Sequence, residues 1–537
     1  MASLSYPYPA RIAKAGNSLL CLGLLLLVLG GGAFLRLWEL NQAGYNSDEA
    51  VYAGQAAAIA QDPDLKEIFP IFRAHPLLFQ FILALAFQSG TNDLLGRLVS
   101  VAIGLGTIGL VYLLGKLLYG PWAGLIAALF LACMPYHVIV SRQVLLDTPL
   151  TFFTTLTLYV LAHFARNQHP NWLHAVGAMM GLTFLAKETG IVFLGSIYSF
   201  LALSREIHVR VRDIVLATVF MFLVILPFPL SIVLGGGKRA GQQYLIWQFF
   251  RRPNHEWTFY PTVVPTAIGL LVIGLALLGL WLFRREGSWR ERLLLAWIIV
   301  PVTFFQLWPT KGFQYLLPIA PAFAVLAGRT LSRWLPATWT NSGPALSKAE
   351  GPVLSHVEGP ARTAWVPRLK GAFSLLTTGV VAFSLFIPTW LQIQPSTTGK
   401  FLAGSGGVPG GREAGTWILE HTPTGSEFMT IGPSMANIIE FYGHRQAYGL
   451  SISPNPLRRN PSYQPILNPD LQIRSGNLHY LVWDSFSADR SPFFAEQLRK
   501  YVGRYHGRVV HLESITILQP DGSTTTEPVI IIYQVRS

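Results

Sequence analysis

The chain has 537 residues, of which 51% are hydrophobic and only 12% are charged, and its formal net charge at pH 7 is +13. Charged residues make up about a quarter of a typical soluble domain, so this composition excludes an ordinary soluble protein. The basic residues stand in short clusters between apolar runs, a pattern typical of membrane anchoring, and the positive charge therefore does not indicate nucleic-acid binding.

Apolar runs recur along most of the chain. A span needs about 20 residues, and about eleven segments approach that length. We predict a polytopic α-helical membrane protein with spans near 18–37, 97–118, 122–140, 148–166, 172–186, 188–203, 212–234, 262–283, 292–309, 313–331 and 371–391. The fifth and sixth are short, so they either cross separately or form one helical hairpin. The stretch 76–88 is apolar but too short to span, and we assign it to the interface.

The first apolar segment, residues 18–37, follows Arg11 and Lys14 as in a signal peptide, but its apolar core is long and no small-residue cleavage site follows. We therefore predict an uncleaved first span. The distribution of Lys and Arg between loops favours a cytoplasmic N-terminus, and an odd number of spans then places the C-terminal region outside. Cys21 and Cys133 both fall inside apolar spans, so neither a disulfide framework nor a zinc site is expected.

Two regions differ in composition from the spans. Residues 343–359 contain two Pro-punctuated repeats, GPALSKAE and GPVLSHVE, which predict a flexible cytoplasmic insert at about 335–370. From residue 413 the composition turns soluble, with helical patterns at EAGTWILEH and near 491–505, and strand-like runs at EFMTIG, HYLVWD, VVHLESITIL and PVIIIYQV. The sequence thus predicts a membrane domain over 1–391 and a small extracytoplasmic α/β domain over 413–537.

With this topology, the polar residues next to the spans gather at one membrane face. The first outer loop contains the adjacent acidic residues Asp48 and Glu49. The other candidates on this face are Tyr52, His75, Arg97, Arg142, Asp147, Lys187, Tyr260, Lys311 and Tyr315. Charged groups at membrane depth are costly unless paired, so each is a functional candidate. Structural alternatives are that Arg142 pairs with Asp147 and that Lys187 anchors at the interface.

The ordered motifs between residues 36 and 330 resemble a known family. They are Asp48-Glu49-x-x-Tyr52, His75-Pro76-Leu77-Leu78, Arg97-Leu98-Val99-Ser100, Ser141-Arg142 followed by Asp147, Leu185-Ala186-Lys187-Glu188-Thr189-Gly190, and Lys311 with Tyr315-Leu316-Leu317-Pro318 and Pro321. The chain is similar to GT-C glycosyltransferases of the dolichyl-phosphate-mannose–protein mannosyltransferase and aminoarabinose transferase group. It departs mildly, because HPLL stands where HPPL is usual, and the 343–359 repeat has no counterpart there.

The resemblance implies an integral-membrane glycosyltransferase that moves a sugar from a polyprenyl-phosphate donor to an extracytoplasmic protein, lipid or glycan acceptor. Asp48 corresponds to the presumed base, and we place Glu49 beside it as a second catalytic carboxylate. From their positions, the predicted donor-phosphate ligands are Arg142, Lys187 and Lys311, and the predicted substrate contacts are Tyr52, His75, Arg97, Asp147, Tyr260 and Tyr315. The base would take the acceptor proton while cations stabilise the leaving phosphate, and direct displacement would invert the anomeric centre.

No cofactor is expected, because no metal-ligand set is evident, although a divalent ion near Asp48 and Glu49 is left open. Two rival functions are also left open. A secondary transporter would show inverted repeats, but none is evident between the two halves, and the polar groups lie at span ends. A non-catalytic scaffold presenting the C-terminal domain would leave the outer charges unexplained. The expected partners are the sugar donor, the acceptor and the lipid bilayer, with no nucleic acid.

Overall fold

The computed structural model describes residues 9–69, 75–234, 247, 251, 253–335, 365–394, 408–460, 463–518 and 523–536. A helical membrane part is followed by a small domain with a mixed sheet, as predicted. The helices of the first part are α1 (Pro9–Leu37), α2 (Ser47–Ile59), α3 (Leu78–Phe87), α4 (Asp93–Tyr119), α5 (Pro121–Cys133), α6 (Pro135–Ser141), α7 (Asp147–Asn167), α8 (Pro170–Ala186), α9 (Val192–Leu203), α10 (Val211–Ile225), α11 (Pro227–Leu234), α12 (Phe259–Ile268), α13 (Leu270–Leu282), α14 (Trp289–Leu307), α15 (Ala320–Ser332) and α16 (Trp365–Ile393). Residues 336–364, which contain the predicted repeat, lie outside the described residues.

Within the described ranges, 6 helices are long and apolar enough to cross a membrane, and 2 bent pairs raise the number to as many as 8. The six are Leu19–Leu37, Asp93–Tyr119, Asp147–Asn167, Val211–Leu234, Phe313–Ser332 and Leu369–Ile393. Shorter apolar helices lie at Leu78–Phe87 and at Glu188–Leu203. The interfacial position of 76–88 stays a prediction. The polytopic helical fold class is therefore confirmed, while the count of eleven spans stays a prediction.

Two of the predicted spans are broken. The first, predicted as a continuous helix over 122–140, consists of α5 and α6, which meet at an angle of 61°. Pro135 starts α6, and its missing N–H ends the hydrogen-bond ladder of α5. The second, predicted over 262–283, bends by 90° between α12 and α13. Gly269 stands at that bend with a φ of +99°, a conformation that favours glycine.

Arg36 spans the break between α5 and α6. Its side chain is fully buried, and Nη1 donates to the carbonyl of Ala132 at 3.1 Å, in the last turn of α5. Nη2 lies 2.7 Å from His137 Nδ1, and Nε donates to Ser141 Oγ at 2.9 Å, both on α6. Because one guanidinium binds both helices, it fixes the direction in which α6 leads toward Arg142 and the start of α7.

The C-terminal domain contains one sheet with strand order β2-β1-β3-β5-β4. β1 is parallel to β2 and β3, whereas β5 is antiparallel to β3 and β4. The strands are β1 (Glu427–Thr430), β2 (Ala447–Gly449), β3 (Leu478–Asp484), β4 (Arg508–Leu518) and β5 (Thr524–Gln534). The helices are α17 (Gly411–His421), α18 (Pro433–Ile438), α19 (Pro469–Arg474), α20 (Ser485–Arg490) and α21 (Pro492–Arg504). The two predicted helices and four predicted strands therefore form, while the short elements β2, α18, α19 and α20 were not foreseen.

The C-terminal domain docks on the segment that precedes α2 and on the first residues of α2 and α4. The Tyr442 hydroxyl donates to Asp93 Oδ2 at 2.6 Å, and the Tyr45 N–H donates to Tyr442 Oη at 2.7 Å. On α18, Asn437 Nδ2 donates to Ser47 Oγ at 2.8 Å in a buried contact. Since Ser47 is the first residue of α2, the domain holds the helix that carries the acidic pair.

Candidate active site

The acidic pair lies at the start of a helix, not in the loop that the sequence predicted. Asn46 caps α2: its Oδ1 accepts the N–H of Glu49 at 3.0 Å, and the Glu49 carboxylate accepts the N–H of Asn46 at 3.0 Å. This reciprocal capping box fixes the first turn, and the positive end of the helix dipole stabilises both carboxylates. Consecutive helical residues point about 100° apart, so Asp48 and Glu49 face different surroundings.

Glu49 is fully buried, and each of its carboxylate oxygens accepts two hydrogen bonds from the protein. Its Oε1 accepts from Arg97 Nε at 2.9 Å and from the N–H of Val144 at 3.0 Å. Its Oε2 accepts from Arg97 Nη2 at 2.9 Å and from the N–H of Asn46 at 3.0 Å. A carboxylate that already accepts two hydrogen bonds on each oxygen is poorly placed to take an acceptor proton. These contacts do not support the predicted catalytic role of Glu49; they favour a positioning role.

Arg97 was predicted to contact substrate, but its donors are all used inside the protein. Besides its two bonds to Glu49, Nη1 donates to the carbonyls of Leu40 and Ala43, and Nη2 donates to that of Gly44. The guanidinium therefore ties the connection between α1 and α2 to α4. This arrangement favours a structural role for Arg97.

Asp147 and Lys187 form a second buried ion pair. Lys187 Nζ lies 2.8 Å from Asp147 Oδ1 and 2.9 Å from Oδ2, and it also lies 4.6 Å from the centre of the Tyr315 ring. The alternative pairing of Asp147 with Arg142 is therefore wrong. Because Asp147 already neutralises the ammonium group, these contacts do not favour Lys187 as the main phosphate ligand.

A third pair, His75 with Glu188, lies next to Tyr52 on the face of α2 that carries Asp48. Tyr52 follows Asp48 by four residues, which places both on one side of α2. The Tyr52 ring meets the His75 ring edge-on with centroids 6.3 Å apart, and His75 Nδ1 lies 3.1 Å from Glu188 Oε2. Asp48 itself is partly exposed, whereas Glu49 has no exposed surface. The partly exposed carboxylate is thus the member of the pair that a substrate can reach.

Arg142 and Lys311 differ from these pairs in their partners. Arg142 Nη1 donates to the carbonyls of Leu35 and Arg36 at 2.9 and 3.1 Å, at the end of α1. Lys311 Nζ donates to the carbonyls of Gln306 and Trp308 at 3.3 and 3.2 Å, at the end of α14. No carboxylate in the described part of the chain lies within 4.0 Å of either cation. Both therefore keep a net positive charge.

The loop before α15 is held by residues that the sequence analysis did not single out. Asn254 binds the backbone of Lys311 twice, with Oδ1 2.7 Å from the amide nitrogen and Nδ2 2.8 Å from the carbonyl oxygen. The Trp257 ring lies 5.5 Å from Lys311 Nζ. Tyr260, a predicted substrate contact, is buried, and its hydroxyl accepts the N–H of Gly312 at 3.2 Å. No local motif marks Asn254 or Trp257, because their role depends on a contact about 50 residues away.

The structure thus connects most of the predicted residues through a chain of neighbouring contacts, which we call the polar layer. The loop from Arg142 to Asp147 links the pair around Glu49 to the pair around Lys187, and Glu188 adjoins Lys187 in sequence. Tyr315 completes the link to the loop that contains Lys311. Among the residues that the structure describes, no group of three or more His, Cys, Asp or Glu side chains could hold a metal ion.

Comparisons with known proteins show which proteins the chain is similar to. The family described as dolichyl-phosphate-mannose-protein mannosyltransferase matches residues 74–230. An undecaprenyl phosphate-alpha-4-amino-4-deoxy-L-arabinose arabinosyl transferase from Pseudomonas fluorescens is 26% identical over 284 residues, which are 48% of this chain and 49% of that protein. The match therefore spans about half the length of the curated relative.

Two solved structures show the same fold over nearly the whole chain. ArnT from Cupriavidus metallidurans, in the apo state, superposes with a TM-score of 0.65 at 14% identity, covering 97% of this chain and 98% of that one. The oligosaccharyltransferase of Archaeoglobus fulgidus gives 0.62 at 14% identity, covering 94% and 74%. The resemblance to GT-C glycosyltransferases that the sequence motifs predicted is confirmed.

Proposed function

We propose that this chain is an integral-membrane glycosyltransferase that transfers a sugar from a polyprenyl-phosphate donor to an extracytoplasmic acceptor. One observation carries the proposal: a partly exposed carboxylate, Asp48, lies in the same polar layer as two cations, Arg142 and Lys311, that have no carboxylate within ion-pair distance among the described residues. The family match supports it, as does a structure of ArnT bound to undecaprenyl phosphate, which superposes with a TM-score of 0.65 at 15% identity.

In the proposed reaction, Asp48 takes the proton of the acceptor hydroxyl as its oxygen attacks C1 of the donor sugar. The bond from C1 to the phosphate oxygen breaks, and the polyprenyl phosphate leaves with that electron pair. Arg142 and Lys311 stabilise the charge on the leaving phosphate, since fixed cations need no reorganisation at that moment. Glu49 and Arg97 hold the start of α2 against α4, which keeps Asp48 in place.

The proposed topology places this layer at the outer membrane face. The N-terminus is then cytoplasmic, and the domain over 413–537 is extracytoplasmic, where Asn437 contacts Ser47 of α2 and Tyr442 contacts Tyr45 just before it. A reporter fused after Ser537 should read as exported. A cytoplasmic signal would contradict the topology and the extracytoplasmic acceptor.

The function is tested by comparing envelope glycans and glycoproteins by mass spectrometry in cells with and without this protein. A sugar increment should appear only with the wild-type chain. Asp48→Asn keeps the size of the side chain but removes the base, so we expect a rate loss of about 10²–10⁴-fold. Asp64→Asn, on the exposed segment after α2, is the matched control and should behave as wild type. An Asp48→Asn variant with normal turnover would exclude Asp48 as the base.

A further inference from the structure

The segment that joins α1 to α2, residues 38–46, is held from two sides. On one side, Arg97 of α4 donates to three of its carbonyls, including that of Ala43 at 2.6 Å. On the other side lies Arg412, in the first turn of α17 in the C-terminal domain. Its Nη1 donates to the carbonyl of Asn41 at 3.0 Å, and its Nη2 donates to that of Ala43 at 3.0 Å. The Ala43 carbonyl therefore accepts from one arginine of each part of the chain.

Asp93 fixes Arg412 in this position. Arg412 Nη2 lies 2.5 Å from Asp93 Oδ2, and the Tyr442 hydroxyl donates to the same oxygen at 2.6 Å. Asp93 is the first residue of α4, and Arg97 follows it one turn later on the same helix. The helix α4 thus contacts the segment directly through Arg97 and indirectly through Arg412. Both contacts depend on hydrogen bonds from charged groups, which are stronger than neutral ones.

Gly44 shows how closely this segment lies against α17. A Cβ atom at this position would lie 2.8 Å from the Cβ of Arg412 and 3.4 Å from its amide nitrogen. Carbon atoms pack at about 3.5–4.0 Å, so a side chain does not fit there unless the C-terminal domain moves. Glycine therefore permits a close contact in which a shift of the domain also shifts the segment.

The C-terminal domain also contacts the chain at the start of α2 and beyond its end. Asn437 donates to Ser47, the first residue of the helix. After the helix, His444 Nδ1 lies 3.7 Å from Asp64 Oδ2. Together with Arg412, these residues contact the chain before, at and after α2. The C-terminal domain therefore holds the whole helix that carries the proposed base.

We propose that Arg412 is a positioning residue of the transfer reaction, through which the docked C-terminal domain holds Asp48 in its reactive place. The proposal rests on the proposed function, because it assumes that Asp48 is the base. Arg412 acts through the segment 38–46, which ends in the cap of α2, and not by contact with the substrate. A misplacement of about 1 Å can lower a rate about 10²-fold. Loss of the contact therefore lowers the rate of transfer while the donor site stays intact.

The test uses the full chain in lipid nanodiscs. Arg412→Gln removes the charged donor, whereas Asp93→Asn removes only the charge that fixes it and leaves the bonds of Arg412 to the segment. Arg499→Gln on α21 is the matched control, because its side chain is 63% exposed. Hydrogen–deuterium exchange of residues 41–50 reports on the order of the segment. Binding of undecaprenyl phosphate is measured on the same samples, and the sugar increment in cells, per amount of folded protein, measures transfer.

For Arg412→Gln we expect exchange in residues 41–50 to rise about tenfold, because hydrogen bonds from a charged donor are lost and the segment opens more often. Transfer should fall tenfold or more, while the variant still folds and its affinity for undecaprenyl phosphate stays at the wild-type value. Asp93→Asn should show the same two changes at smaller size. Arg499→Gln should show neither.

Exchange or transfer at the wild-type level in Arg412→Gln would overturn the proposal. So would a loss of transfer matched by an equal loss of undecaprenyl phosphate binding, because that result would indicate damage to the whole membrane domain. If Arg412→Gln does not fold, the changes expected of Asp93→Asn decide in its place. If the wild type adds no sugar in cells, the proposed function fails, and the exchange measurement still decides whether Arg412 orders the start of α2.

Discussion

Two kinds of charged group share the polar layer, and they differ in what neutralises them. Glu49 with Arg97, and Asp147 with Lys187, form buried pairs in which each charge faces its opposite at 2.8–2.9 Å. Arg142 and Lys311 instead bind backbone carbonyls at the ends of α1 and α14. A carbonyl satisfies an N–H donor but does not cancel its charge, so only the second kind still attracts an anion.

This difference separates residues that hold the site from residues that react in it. Removing one partner of a buried pair leaves the other charge buried without compensation, so such a substitution mainly lowers the stability of the fold. A cation held by helix-end carbonyls is also favoured there by the helix dipole, and it can add a phosphate partner without losing its own. Separate substitutions in the buried ion pairs and in the two carbonyl-bound cations test this difference.

The largest effect is expected from Glu49→Gln. The change keeps the shape but leaves Arg97 buried at 3% exposure without its anion. Breaking such a pair typically costs about 3–5 kcal/mol, which is a large part of the stability of a domain. We expect a marked loss of folded protein in detergent, measured by size-exclusion chromatography and thermal unfolding.

Glu39→Gln is the control for that experiment, because Glu39 is exposed at the end of α1 and should tolerate the change. A Glu49→Gln variant that folds with wild-type stability but has no activity would contradict the positioning role. It would return Glu49 to the catalytic role that the sequence predicted.

A smaller effect is expected from Arg142→Gln and Lys311→Gln. Both variants should fold, because glutamine can keep a hydrogen bond to the carbonyls at the helix end. Each should weaken binding of undecaprenyl phosphate by about tenfold or more, since a hydrogen bond to a charged group contributes about 1.5–3 kcal/mol. Isothermal titration in nanodiscs measures the change.

Lys116→Gln, at the exposed end of α4, should bind undecaprenyl phosphate as wild type does. Lys187→Met provides a further comparison, because it leaves the buried Asp147 carboxylate without its ion-pair partner. We expect this variant to lose more stability than affinity for undecaprenyl phosphate. Wild-type binding by both Arg142→Gln and Lys311→Gln would place the phosphate elsewhere. The described alternative is Arg251, whose guanidinium lies 4.4 Å from the Trp247 ring; Arg252 lies outside the described residues.

The helical membrane fold could be predicted from the sequence, because apolar length is a local signal. The helix α2 could also have been found: Asn46 and Glu49 have the spacing of a capping box before an alanine-rich run. The bend at Gly269 could also have been predicted, because Pro265 and Gly269 stand close together in one apolar segment, which is again a local signal.

The partners of each charge could not be predicted. Arg97 finds Glu49 across 48 residues, and Lys187 finds Asp147 across 40 residues. Such pairings depend on how the helices pack, and no periodicity in one segment encodes them. The C-terminal domain shows the same limit, because its strands were found from their alternation, while the docking contact of Asn437 with Ser47 joins residues 390 apart.

The smallest effect is expected in the C-terminal domain, where Asp484 is a third kind of charged group. It is a fully buried carboxylate whose Oδ1 accepts the N–H of Ser487 at 2.7 Å, and no described cation lies within ion-pair distance. Burial raises the pKa of Asp484 to about 6 from 3.8, and the nearby Asp489 adds to the rise. The folded state therefore prefers the protonated form.

Since the pKa is higher in the folded than in the unfolded state, stability from this group is fully present below about pH 4 and is lost as the pH rises through about 6. At 1.36 kcal/mol per pKa unit, the loss is on the order of 2–3 kcal/mol. Asp484→Asn keeps the cap but cannot ionise, so the C-terminal domain should resist thermal proteolysis better than wild type at pH 7.5 and about equally at pH 3.5. Glu496→Gln, exposed on α21, should change neither value. An Asp484→Asn variant that is less stable at pH 7.5 would mean that the ionised carboxylate has a partner that stabilises it.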